Sequence, residues 1–140
     1  MKTDRLVVEA ASGASPPRAI AIEVAETDEE KALGLMFRTQ LGDDQGMLFS
    51  YGATHEMTMW MRNTYIPLDM VFIKADGVIH RIEAKAEPLS DRVISSEGPV
   101  AAVLEMAGGA TQRLGIKPGD RVVHAMFGAP GAAAKPRPAN

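Results

Sequence analysis

Residues 68–84 read LDMVFIKADGVIHRIEA, two apolar runs joined by Asp76-Gly77. An Asp-Gly pair favours a tight hairpin turn, because both residues tolerate positive φ. The flanking runs, 68–75 and 78–84, have the length and the β-branched content of strands. The stretch therefore predicts a β-hairpin.

Similar short apolar runs occur on both sides of this hairpin. Turn-rich segments bound them, and the runs lie at residues 6–8, 19–24, 46–49, 56–61, 100–106 and 121–127. They show neither a regular alternation with helices nor a repeat of 20 to 50 residues. The pattern predicts a mainly β fold, an antiparallel sandwich or barrel.

Two short helices are expected beside these strands. Thr27 followed by Glu30 has the spacing of a capping box and predicts a helix over about residues 28–36. A second helix is expected over residues 110–114, ended by Gly115.

The composition is that of one folded domain. Of 140 residues, 46% are hydrophobic and 24% are charged, which excludes a disordered chain. We expect the domain to span residues 1–128. Residues 129–140 are rich in Pro and Ala and lack large apolar side chains, so they are predicted to be a disordered tail.

Charge and cysteine content exclude several classes of function. The formal net charge of −3 disfavours a nucleic-acid partner, and the absence of cysteine excludes thiol nucleophiles and thiolate metal sites. No apolar run approaches the length of a membrane span, so we expect a soluble protein without a transmembrane segment. A periplasmic or secreted location is favoured if a signal peptide has been removed from this chain, and a cytoplasmic one otherwise.

Several blocks in a fixed order carry a resemblance to a known family. They are residues 34–38 (GLMFR), 46–49 (GMLF), 59–64 (MWMRNT), 66–73 (IPLDMVFI), 76–79 (DGVI), 103–105 (VLE) and 114–122 (LGIKPGDRV). Over about residues 18–127 the chain resembles the bacterial and archaeal family of uncharacterised proteins catalogued as domain of unknown function 192. The resemblance implies a single compact β domain of jelly-roll-like character, often carried behind a secretion signal or lipoprotein anchor. It implies no established activity and supplies no catalytic residues.

One candidate metal site lies in the predicted strand at residues 56–61 and just before it. Strand alternation places His55, Met57, Met59 and Met61 on one face. An imidazole and three thioethers suit Cu(I), which would indicate an extracytoplasmic Cu(I)-binding protein. Methionine also fills irregular cores, and packing is the simpler interpretation. We expect no other metal and no cofactor.

Trp60 lies on the opposite face of the same strand. An exposed indole beside Arg62, with Asn63 and Asp69 nearby, is typical of a platform for a small polar ligand. The leading hypothesis is a non-enzymatic binding domain for a saccharide or a peptide fragment. The oligomeric state is left open.

Asp69 and Glu105 are acids within apolar strands. A buried carboxylate needs a partner, and Arg38 and Arg62 are the cations that the family blocks suggest. All four side chains are therefore candidate site residues. A structural ion-pair network that ties strands together is the simpler interpretation of these residues. The two acids, or either acid with His55, are also compatible with general acid-base catalysis, which leaves an enzyme as the alternative hypothesis.

Overall fold

The computed structural model describes residues 1–128 as a mainly β domain with two short α-helices. Its elements are β1 (Lys2–Glu9), β2 (Arg18–Ala25), α1 (Asp28–Leu33), β3 (Gln45–Met59), β4 (Leu68–Ile73), β5 (Ile79–Ala86), β6 (Ile94–Ala107), α2 (Ala110–Leu114), β7 (Arg121–Val123) and a 3-10 helix (Ala125–Phe127). The predicted fold class is confirmed. The predicted tail, residues 129–140, lies outside the described residues. Within residues 1–128, no helix has the length and apolar character to cross a membrane.

The seven strands form one curled sheet in the order β5-β4-β6-β3-β2-β1-β7. Its two edge strands meet at one corner. There the Ile79 N–H donates to the Asp120 carbonyl over 2.8 Å, and the Val122 N–H donates to the Gly77 carbonyl over 2.7 Å. The predicted hairpin joins β4 to β5, and its Asp76-Gly77 turn is part of this corner. The sheet is therefore a partly closed barrel.

One pair of strands departs from the predicted antiparallel arrangement. β2 and β3 are parallel, while the other neighbouring strands run antiparallel. A parallel pair needs a crossover, and residues 26–44, which include α1, provide it. The capping box that starts α1 is present, since the Thr27 hydroxyl accepts from the Glu30 N–H and the Glu30 carboxylate accepts from the Thr27 N–H, each over 3.1 Å.

Three predicted element boundaries are corrected. The last run, 121–127, is a strand only over Arg121–Val123, and the 3-10 helix Ala125–Phe127 follows it. The first helix ends at Leu33 rather than at residue 36, because Gly34 adopts a positive φ of 49°. The runs predicted as separate strands at 46–49 and 56–61 belong largely to one long strand, β3, which pairs with β6 through two register shifts. The first shift, between Ser50 and His55, absorbs the polar, Gly-containing residues between the two runs.

The core has two parts, one on each side of the sheet. All six residues of β4 are buried, so this strand contributes to both. We call the group inside the barrel, which includes Val71 and Leu104, the inner cluster. The group on the opposite face includes Phe72, Val103 and Leu35, and we call it the outer cluster. Because Leu35 follows α1 directly, the crossover packs against the outer face.

Candidate ligand-binding site

A cavity of about 260 Å³ opens on the outer face of the sheet, beside the crossover. Residues 31–36, from α1 and the turn after it, form one wall, and β3 forms another. The remaining lining comes from β6 and from the loop after β3. The lining includes Lys31, Tyr51, Met59, Trp60, Thr64 and Glu105.

Glu105 is a nearly inaccessible carboxyl in this lining. Its exposed fraction is 4%, its oxygens keep some accessible surface toward the cavity, and within residues 1–128 no protein group donates a hydrogen bond to its side chain. Burial away from water raises the pKa of this carboxyl to about 8. Near neutral pH the group is therefore protonated, and it can both donate and accept a hydrogen bond.

Tyr51 and Lys31 lie next to each other in the same lining. The Lys31 ammonium is 4.5 Å from the centroid of the Tyr51 ring, a favourable cation–π distance. The Tyr51 hydroxyl donates to the Met59 sulfur over 3.6 Å. Burial, with the nearby Glu105 charge, raises the pKa of Tyr51 to about 12. The phenol is thus a neutral group at physiological pH.

Trp60 stands at the rim of the cavity with 43% of its surface exposed. The Arg62 guanidinium carbon lies 3.9 Å from the ring centroid, and the Arg62 Nε donates to Asp91 over 3.1 Å. Arg62 therefore stacks on the indole. Trp60 and Arg62 are neighbours, as the ligand-platform hypothesis requires.

Three loops beside the cavity are joined through their backbones. The Phe37 N–H donates to the Asn63 carbonyl over 2.9 Å, and the Leu89 N–H donates to the Thr64 carbonyl over 3.0 Å. Phe37, Asn63 and Leu89 have φ values of 67°, 54° and 65°. A left-handed conformation costs about 1–2 kcal/mol for most L-residues. These hydrogen bonds help to hold that backbone and fix the loop that carries Trp60. The Asn63 side chain is exposed, and Asn63 contributes through its backbone.

Asp69 lies elsewhere and is fully engaged. One carboxylate oxygen accepts from the N–H groups of Lys85 and Gly109, each over 2.9 Å. The other accepts from the N–H and the hydroxyl of Thr111 over 2.9 and 2.6 Å. The carboxylate thus supplies the cap that Gly109 lacks at the start of α2. The prediction that Asp69 binds a ligand is contradicted, because it is buried and its oxygens bind the protein.

Asp69 and Glu105 point to opposite faces of the sheet. In the β4–β6 ladder, Asp69 faces Met106 of the inner cluster, whereas Glu105 faces Met70 of the outer cluster. Directly opposed residues in an antiparallel pair share a face. Packed sheet separates the two acids, so the hypothesis of an enzyme that uses both on one substrate is contradicted.

The comparison with known proteins agrees with the resemblance found in the sequence. Residues 7–124 match DUF192, a family described as uncharacterized ACR. The chain belongs to this family. The search of curated proteins found no match to this chain.

Two solved structures are similar to this DUF192 domain. One is a candidate transcription regulator from Sinorhizobium meliloti, 43% identical, with a TM-score of 0.85 over 89% of this chain and 95% of that one. The other is a protein of unknown function from Novosphingobium aromaticivorans, 43% identical, with a TM-score of 0.82 over 87% of this chain and 85% of that one.

The predicted partners of the buried acids are wrong. In the DUF192 domain Arg38 forms a two-point ion pair with Glu23, over 2.6 and 3.0 Å, and its hydrogen bonds lower the pKa of Glu23. Arg62 pairs with Asp91. Both arginines remain near the surface, where water stabilises their charge, and neither reaches Asp69 or Glu105.

The methionines predicted as copper ligands differ in environment. Met57 and Met61 are buried in the outer cluster, and Met59 packs against it. His55 is exposed, with its ring 6.1 Å from that of Tyr51. The structure thus uses the methionines as core side chains. Among residues 1–128, no group of three or more His, Asp or Glu side chains is arranged to hold a metal ion.

Two cavity residues, Tyr51 and Lys31, were not among the candidates predicted from the sequence. Tyr51 lies two positions after Phe49, so strand alternation would have placed both on one face. Lys31 is the basic residue in the last turn of α1, and nothing local predicts that this turn borders Glu105. Only the parallel crossover brings the two residues to one cavity.

Proposed function

We propose that this protein is a non-enzymatic binding domain for a small polar ligand, such as a saccharide or a peptide fragment. Its site is the Glu105 cavity below Trp60. The observation that carries the proposal is the Glu105 carboxyl, which is buried, lines an open cavity and has no protein partner among the described residues. Its oxygens are open to the cavity, so a ligand bound there can supply the hydrogen bonds that the protein does not.

The cavity supports binding of a compact molecule. Its volume of about 260 Å³ is slightly below the usual range for ligand pockets, so it suits a small ligand. Leu35 and Met59 supply apolar wall, while Trp60 supplies an aromatic rim. Indole rings at the edge of a site provide an apolar surface for sugar rings and peptide side chains.

Binding is favoured over catalysis by the composition of the lining. The enzyme hypothesis needs two carboxyls, or a carboxyl and a histidine, in one cavity. Among the described lining residues, Glu105 is the single carboxyl, and neither His55 nor any other histidine takes part. A neutral carboxyl beside an aromatic ring is sufficient for recognition.

A direct nucleic-acid partner is not part of this proposal. The relative from Sinorhizobium meliloti is described as a candidate transcription regulator. This chain has a formal net charge of −3, which disfavours contact with phosphates. Its cavity instead suits a small molecule.

Trp60 fluorescence provides the test, because Trp60 is the single tryptophan. The full chain is titrated with glucose, N-acetylglucosamine, short peptides and small ring compounds, and amide chemical shifts locate binding. We expect saturable shifts at residues 31–36 and at Glu105, lost in Glu105→Leu and retained in Glu87→Gln, an exposed control. Absence of saturable shifts with the whole panel, or shifts that Glu105→Leu leaves unchanged in a folded protein, would overturn the proposal.

A further inference from the structure

The charges around the cavity indicate what kind of ligand it takes. We infer that the ligand carries a carboxylate, which lies between the Lys31 ammonium and the Glu105 carboxyl. This inference rests on the proposed function and specifies the class of ligand.

Lys31 is the cation of this site. Among the described lining residues it is the one basic side chain. Its ammonium lies over the Tyr51 ring rather than against a carboxylate, and within residues 1–128 no acid forms an ion pair with it. A cation beside a cavity without an anionic partner is a site for a ligand's negative charge.

Glu105 reinforces this preference instead of opposing it. Because burial keeps its carboxyl protonated near neutral pH, it presents an O–H donor to the cavity and no negative charge. A neutral acid in an apolar site can donate a hydrogen bond to an oxyanion. A ligand carboxylate would therefore accept from Glu105 and pair with Lys31.

The opposite ligand charge fits less well. An amine would be repelled by Lys31 and would need the buried Glu105 to lose its proton. A neutral ligand would leave the Lys31 charge without a partner. The lining thus discriminates among ligands of similar shape by charge.

The rest of the lining suits a ring attached to the carboxylate. Phe49, Met59 and Trp60 give the cavity apolar and aromatic surface. Sugar acids and the C-terminal residue of a peptide both combine a compact body with one carboxylate. The shared chemistry is the inference, and the experiment distinguishes the two sources.

The test compares acids with amides of the same shape. Glucuronic acid and glucuronamide represent the sugar source, while N-acetylphenylalanine and its primary amide represent the peptide source. Each compound is titrated into the full chain at pH 7 and followed by amide chemical shifts. For at least one pair we expect the acid to bind about tenfold more tightly than the amide, since the acid alone makes a charge-assisted contact.

Variants assign the position of the carboxylate. Lys31→Gln should weaken binding of the acid about tenfold and leave the amide unchanged. Lys74→Gln, which changes an exposed lysine that does not line the cavity, should leave both unchanged. Equal binding of the acid by wild type and Lys31→Gln would overturn the assigned position.

The protonation of Glu105 can be tested through the pH dependence of binding. The other titratable groups in the lining are Lys31 and the Tyr51 phenol, whose pKa is about 12, and the shift of Glu105 itself comes from burial. Binding of the acid should weaken as the pH rises above about 8. Glu105→Gln keeps a donor at this place and should bind the acid without that dependence. An identical pH profile in both proteins would contradict the role of Glu105.

The outcomes separate the inference from the function on which it rests. If amides bind as tightly as their acids, the carboxylate assignment is wrong and the cavity remains a ligand site. If no compound here or in the fluorescence panel binds, both proposals fail.

Discussion

The Asp69 carboxylate and Thr111 are joined twice, because one carboxylate oxygen accepts from both the backbone N–H and the hydroxyl of Thr111. They come from β4 and from the start of α2, 42 residues apart in the sequence. This contact anchors α2 to the sheet from inside the domain. Asp69, which the sequence pattern suggested as a ligand-binding residue, is thus a structural cap of α2.

Replacing Asp69 should therefore lower the stability of the fold and leave ligand binding at the cavity unchanged. In Asp69→Asn, the new amide N–H₂ would face groups that are themselves donors. We expect a loss of about 2–4 kcal/mol in the free energy of unfolding, measured by urea denaturation. Thr111→Val removes a single donor and should cost less, about 1–2 kcal/mol. Equal stability of Asp69→Asn and wild type would contradict the capping role.

Glu105 makes stability depend on pH in a particular direction. The folded pKa of about 8 lies above the ordinary value, so the native state binds more protons than the unfolded chain between about pH 4.5 and 8. The free energy of unfolding should therefore fall as the pH rises through that window, by an amount on the order of 5 kcal/mol. Below the ordinary carboxyl pKa, the contribution of Glu105 to stability is fully present.

The measurement is urea denaturation at pH 5, 7 and 9. Glu105→Gln should remove the decline, while Glu87→Gln, at an exposed position, should follow wild type. A wild-type profile in Glu105→Gln would contradict the assignment of the titration to Glu105.

Gly77 should be indispensable where the barrel closes. It has a φ of 89°, and an added Cβ would lie 2.6 Å from the Val122 carbonyl oxygen. Gly52 has a φ of 71° with nothing within 4 Å of an added Cβ. We expect Gly52→Ala to cost about 1–2 kcal/mol for the conformation alone. Gly77→Ala should cost at least about 1 kcal/mol more, because the clash adds to the same strain. Equal losses of stability in the two variants would contradict this prediction, because they would mean that the backbone at Gly77 moves to accommodate the added Cβ.

Methionine substitutions should leave copper uptake unchanged. Leucine has nearly the volume of methionine, so Met57→Leu/Met59→Leu should cost under about 1.5 kcal/mol per site. Anaerobic titration with Cu(I) against a competing chelator should then give equal, weak uptake by variant and wild type. Tight uptake that the variant loses would restore the metal hypothesis.

The sequence predicted well those features that depend on a few adjacent residues. The Asp76-Gly77 hairpin and the Thr27 capping box are encoded locally, and both are confirmed. Glu105 was also recognised as an acid enclosed by apolar neighbours, and it is buried. In each case, the decisive residues are close together in the chain.

The features that the sequence did not predict depend on the register and pairing of strands that are distant in the chain. Every residue of β4 is buried, so alternation alone did not reveal which face each side chain occupies. The opposite orientations of Asp69 and Glu105 follow from the β4–β6 register. Likewise, Arg38 forms its ion pair with Glu23 because the crossover that contains α1 brings the two residues together. Neither relationship leaves a local signal.

The pairing of the first strand with the last bears on how the chain acquires its structure. β1 lies between β2 and β7, and His124 bonds Asp4 across 120 residues of sequence. During synthesis, β1 must wait for nearly the whole domain to leave the ribosome before it gains its second neighbour. Chains dominated by such distant contacts fold slowly, on the order of milliseconds to seconds. Until then an unpaired strand edge is available to other nascent chains, so early release of an incomplete chain exposes it to aggregation.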